Sequence, residues 1–168
     1  VQAEGVEAAM HVVQQNVYGE RELAIRLLHN LASDTSPHQA TMREKGVLEL
    51  LVGLTDAAAT QTLAQLIVQK RLVETLHLFV ARKERAYVRD SHLHTAEQQI
   101  GIRAIVTAGA IRKLVALFGA VRTQPEVQHE TALLLSELCE TDVGKKGFSP
   151  GTVLDIAKAC VAYLESAG

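Results

Sequence analysis

Apolar positions along the chain recur at helical spacing, and they recur as phrases. "GVLELLVGL" (46–54) reappears in altered form as "GAIRKLVAL" (109–117), each a glycine followed by an apolar helical stretch. Two weaker copies begin at Gly5 ("GVEAAMHVV") and Gly151 ("GTVLDIAKA"), so successive anchors lie 41, 63 and 42 residues apart. A second phrase falls between the anchors. "RLLHNLA" (26–32) aligns with "QTLAQLI" (61–67) and "LLLSELC" (133–139), bringing Leu28, Leu63 and Leu135 together, then Leu31, Leu66 and Leu138. Ala24, Ala59 and Thr131, four residues before the first leucine, extend each to an i, i+4, i+7 stripe on one helix face.

The punctuation agrees with this reading. Ser36-Pro37, Gln124-Pro125 and Ser149-Pro150 stand where helices can begin, because proline lacks only an N–H that has no partner in a first turn. "TQPE" (123–126) has the spacing of a capping box. Gly46 and Gly109 follow short helical phrases and can take the left-handed conformation that ends one helix and starts the next at a steep angle. No segment alternates with a sustained period of two, so no strand is expected. The predicted unit is a short helix, a glycine corner, a second helix, a loop and a third helix.

Such a unit is similar to the armadillo repeat. The resemblance is strongest in "IVTAGAIRKLVALFGAVRTQPEVQHETALLLSELC" (105–139), which follows the family's run of Gly-Ala-Ile, leucine-rich helix, Pro-Glu-Val-Gln and a helix ending Leu-Ser-Asn-Leu-Ala. Glu137 replaces that Asn here, whereas "HNLAS" (29–33) keeps it as Asn30. The resemblance implies an all-α fold, a right-handed superhelical α-solenoid of about three to four repeats within one domain, 1–168. The units are expected at roughly 1–35, 36–69, 70–100 (degenerate), 101–141 and 142–168 (partial). The middle unit lacks its glycine corner, and a longer loop is expected within 83–95. The chain begins at a second helix and without Met, so it is read as a segment of a longer solenoid with stacking surface at its N-terminal end.

The resemblance also implies a mode of action. Stacked units share one core and curve, and the third helices line a concave surface that binds proteins or peptides. In peptide-binding armadillo proteins an Asn on the third helix holds the peptide backbone, with a Trp one turn earlier. The corresponding pairs here are Arg26/Asn30, Gln61/Gln65 and Leu133/Glu137, and the chain has no Trp. The regular Asn ladder of nuclear-import receptors is absent, which argues against recognition of a basic import signal by that route. The expected role is a non-enzymatic scaffold for a protein or peptide partner. The rival is a structural solenoid subunit packed in a larger assembly, or one regulating a linked domain.

Composition narrows the choice. The chain has 168 residues, 48% hydrophobic and 21% charged, with a formal net charge of −2. That is globular, and it lacks the basic face that nucleic-acid binding requires. No apolar run approaches the roughly 20 residues that span a bilayer, and no signal peptide opens the chain. An intracellular location, cytoplasmic or nuclear, is expected. Cys139 and Cys160 sit in apolar helical text and are read as buried free thiols. "HLH" (92–94) offers two histidines without further ligands, and the Arg82–Arg89 run carries its own acidic offsets. No phosphate loop, dinucleotide fingerprint or nucleophile elbow accompanies the glycines. No catalytic residue, metal or cofactor is expected.

Overall fold

The computed structural model describes residues 2–15, 17, 19–34, 36–81, 95–121 and 124–167. These are all-helical, with no strand among them. Ten helices follow one another: α1 (Gln2–Gln15), α2 (Glu20–Asp34), α3 (Ser36–Glu44), α4 (Val47–Leu54), α5 (Leu63–Val80), α6 (Ala96–Thr107), α7 (Ala110–Ala120), α8 (Pro125–Cys139), α9 (Asp142–Gly147) and α10 (Pro150–Ala167). The predicted 83–95 loop, the HLH histidines and the Arg82–Arg89 run fall on 82–94, outside the described residues apart from Thr95.

Two corners form as their glycines dictate. Gly46 between α3 and α4 has φ 76°, and Gly109 between α6 and α7 has φ 86°, a region that costs a residue with a Cβ. Gly5 and Gly151 behave differently: both lie inside helices, α1 and α10, so the outer two anchors are not corners. Pro125 and Pro150 open α8 and α10, and Pro37 is the second residue of α3. Thr123, the capping residue of the predicted "TQPE" box, lies outside the described residues. Gln124 is the N-cap of α8 and its side chain makes no capping bond. Capping boxes occur at Thr62–Gln65 and Thr95–Gln98, where each threonine accepts from the third backbone N–H and each glutamine returns the bond.

The helices are held by one continuous apolar core, running from Val6 and Val13 on α1 to Leu134 and Leu138 on α8. Within it α2, α5 and α8 lie side by side, α5 packing on both of the others. Each of these three helices also packs on the helix before it, α1, α4 and α7 respectively. One polar residue on each makes the same kind of bond: Arg21 in the first turn of α2, Gln69 two turns into α5 and Gln128 at the end of the first turn of α8. Arg21 Nε donates to Val13 O (3.0 Å), Gln69 Nε2 to Leu54 O (3.2 Å) and Gln128 Nε2 to Phe118 O (3.3 Å). Each acceptor lies in the last three residues of its helix, where carbonyls have no helical partner. Gln69 and Gln128 are buried, so these bonds satisfy groups that water does not reach. Gln69 Oε1 also accepts from Asp56 N (3.1 Å), whereas Gln128 Oε1 has no partner among the described residues.

These bonds fix the register of the row. A shift of 48 residues carries α2 onto α5, and 59 carries α5 onto α8. Leu28, Leu76 and Leu135 then coincide, as do Ala24, Leu72 and Thr131, and all six are buried. This corrects the sequence alignment in the middle unit. Leu63, expected to match Leu28 and Leu135, is 73% exposed on the first turn of α5, and Leu66 is half-buried. The expected boundary between residues 69 and 70 likewise falls inside α5, which runs unbroken from 63 to 80. The expected burial of the cysteines is also corrected. Cys139 is the last residue of α8 and Cys160 lies on the terminal helix α10, and both are exposed.

Leu76→Ala should therefore cost about 2–5 kcal/mol in urea unfolding, because it opens a cavity in the core. Leu63→Ala should change stability by less than about 0.5 kcal/mol. If the sequence register were the true one, Leu63→Ala would also cost about 2–5 kcal/mol.

Candidate functional site

The outward face of the α2–α5–α8 row is where the predicted residues belong. Arg26 and Asn30 are exposed on α2. Leu133, 38% exposed, and the half-buried Glu137 occupy the equivalent positions on α8. Their partners on α5 are Glu74 and Leu78, which sequence reasoning missed. Gln61 lies in the loop before α5, and Gln65 sits at the third position of that helix. The Gln65 carbonyl oxygen accepts from Gln61 N (3.0 Å) and Thr62 N (3.1 Å), so its acceptor is spent on capping. The structure thus brings Arg26/Asn30 and Leu133/Glu137 onto one row and leaves Gln61/Gln65 beyond its edge. Two signals in the chain mark the true register: the Thr62-x-x-Gln65 box, and the Val-Gln pair shared by 68–69 and 127–128.

Electrostatics along the row link its helices. Lys70 on α5 bonds Glu126 on α8 (2.9 Å) and lies 3.8 Å from Glu74. The Glu126 contact holds the Lys70 ammonium above its ordinary pKa and the Glu126 carboxyl below its own. Glu126 is largely exposed, so this pair sets orientation more than stability. Arg71 pairs with Glu74 (3.3 Å), filling the centre of the row with matched charge.

Between α2 and α5 the contact is a partly buried hydrogen-bond chain. Thr75 Oγ1 donates its only hydrogen to Arg71 O (2.6 Å), so it accepts from the Nδ1–H of His29 (3.1 Å). The neutral ring therefore carries its proton on Nδ1. Burial and then the Arg71 guanidinium hold the His29 imidazole below its usual pKa, against an opposing pull from Glu74.

No protein-family model, no characterised protein and no solved structure matches this chain. Its chemistry is therefore argued from its own residues. Among the described residues no group of His, Cys, Asp and Glu is placed to hold a metal ion, and no helix is long and apolar enough to cross a membrane. Partial burial and then Glu140 push the Cys139 thiol up, which lowers its thiolate fraction and disfavours a nucleophilic role. What the row offers is an uneven polar face with an exposed apolar side chain at Leu133, beside paired charges, while Leu78 is partly buried against the core.

His29 gives a test of the α2–α5 contact. A pKa lowered by folding means that the unfolded chain binds more protons, so stability rises with pH. The contribution should be complete above the unfolded value of 6.5 and lost as pH falls through it towards the lower folded value. Urea midpoints taken between pH 7.5 and 5.5 should fall less for His29→Asn than for wild type. Equal slopes would mean that His29 is not held neutral by this contact.

Proposed function

We propose that the chain is an armadillo-like solenoid segment that acts as a non-enzymatic protein–protein interaction scaffold. A protein or peptide partner lies across the face formed by α2, α5 and α8. The observation that carries this reading is the register of the row. Arg26, Glu74 and Leu133 share one position and Asn30, Leu78 and Glu137 another, on three adjacent helices, each bonded to a carbonyl at the end of the helix before it. Side chains repeated at fixed intervals across parallel supports suit an extended ligand, whose own side chains repeat along its length. The face supplies what such a ligand needs: an amide at Asn30 for backbone hydrogen bonds, charges of both signs and an apolar foothold at Leu133.

A second reading has its own support. Leu27, at the position where Thr75 and Leu134 are fully buried, is 47% exposed on α2. Val153, Leu154 and Val161 are exposed on α10. Apolar side chains at both ends of the helix array favour a segment packed permanently against further repeats of a longer chain or against a partner chain.

Random-peptide phage selection on the purified chain separates the readings. Selected peptides should lose at least about tenfold in affinity to a folded Arg26→Glu/Leu133→Ala variant and keep it in Val153→Asp/Leu154→Asp. The opposite pattern would move binding to the α10 end and favour the permanently packed subunit.

A further inference from the structure

The row is irregular at one place. The connection between α4 and α5 spans 55–62, whereas that between α7 and α8 spans 121–124. In the shared register α5 also begins three residues before α8. The extra chain and the extra helical turn stand apart from α2 and leave a cavity of about 350 Å³ between them. Its floor is apolar and made of small or branched side chains: Leu54, Ala59, Ala64 and Val68. Glu22 from α2 and Asp56 from the loop bring carboxylates to its wall.

An account of the polar groups around the cavity shows what it can still bind. Gln69 spends its amide on Leu54 O and Asp56 N. Gln65 spends its oxygen on the cap of α5. Arg21 turns its Nε to Val13 O, at the carbonyl end of α1. Asp56 Oδ1 accepts from Ala58 N, and no described residue bonds its second oxygen. No described cation pairs with Glu22 or Asp56, although the other acidic residues nearby on the row, Glu74 and Glu126, are matched by Arg71 and Lys70. Arg21 also lines the cavity and brings one positive charge against the two carboxylates of Glu22 and Asp56, so the wall above the apolar floor carries a net negative charge. A ligand that fits both has a hydrocarbon stem and a cationic donor head.

We propose that the cavity between α2, the 55–62 loop and α5 is a side-chain pocket for a lysine of the protein partner, its methylenes on Leu54, Ala59, Ala64 and Val68 and its ammonium between Glu22 and Asp56. The pocket opens beside the α2 end of the α2–α5–α8 row, and its role in partner recognition rests on the reading of that row as the binding face. It gives the face a point of selection. An extended segment that crosses α2 and α5 is accepted when it carries lysine at the position over the cavity. An uncharged residue of the same length leaves both carboxylates unpaired, and an acidic residue is repelled.

The test uses the purified chain, with N-acetyl-lysine methylamide and its norleucine analogue as probes, followed by ¹⁵N–¹H NMR. The lysine probe should shift the amides of Gly53, Ala59 and Ala64 saturably. The norleucine probe should bind at least about tenfold more weakly, as loss of a charge-assisted hydrogen bond requires. Glu22→Gln/Asp56→Asn should bring the lysine probe down to the norleucine level at unchanged melting temperature. Added salt should weaken the lysine probe alone. Equal titration by the two probes, shifts confined to other regions, or undiminished binding to a folded double variant would each overturn the proposal. Because the probes are single residues, the outcome is separable from the row itself. Lysine binding with no peptide captured on Arg26 and Leu133 would keep the pocket and discard the row as the binding face.

Discussion

A buried helix end must have its carbonyls satisfied, and that requirement organises this protein. The last turns of α1, α4 and α7 carry carbonyls that receive a donor from the following helix, α2, α5 or α8: Arg21, Gln69 or Gln128. An unmade bond of this kind costs about 1–3 kcal/mol, comparable to losing a core methyl or two. Directionality matters as much as energy. An apolar stripe alone tolerates sliding by a turn, because leucines three and four residues apart look alike. A single donor that must meet a single carbonyl does not.

Everything on the outward face inherits that register. Once Gln69 is placed, Leu72, Leu76 and Phe79 point into the core, and Lys70, Glu74 and Leu78 fall on the row opposite. Thr75 then meets His29, and Lys70 meets Glu126, so α5 is tied to both neighbours by polar contacts as well as packing. The face proposed to bind a partner is thus positioned by the buried side of the same helices. The lysine pocket arises where the loop before α5 departs from the regular spacing, which makes an irregularity of the array its most selective feature.

Much of the fold was legible because glycine and proline act locally. Gly46 and Gly109 mark corners whatever packs around them, and Pro125 and Pro150 open helices. The middle unit was misread because leucine spacing is degenerate. "QTLAQLI" fits the same stripe as "RLLHNLA", yet it straddles the loop and the exposed first turn of α5. Hence Gln61 and Gln65 were assigned to the face in place of Glu74 and Leu78. The less conspicuous Val-Gln pair carried the correct register for α5 and α8, since the glutamine in each bonds a carbonyl at the end of the preceding helix, as Arg21 does on α2. The burial expected for Cys139 failed as well: Ala32 and Val80 at its position are buried, whereas Cys139 is exposed. Periodicity marks the face a residue belongs to, and it does not show where the covering helices stop.

The central claim is that α2 and α5 lie side by side in the register set by Arg21 and Gln69. Disulfide trapping tests it most directly, in a chain whose two native cysteines are replaced by serine. His29→Cys with Thr75→Cys should cross-link rapidly under mild oxidation, since these side chains are in hydrogen-bond contact. His29→Cys with Thr62→Cys, the pair that the leucine alignment would bring together, should stay reduced. Cross-linking of 29 with 62 and not with 75 would contradict the register, and with it the face built on Glu74 and Leu78.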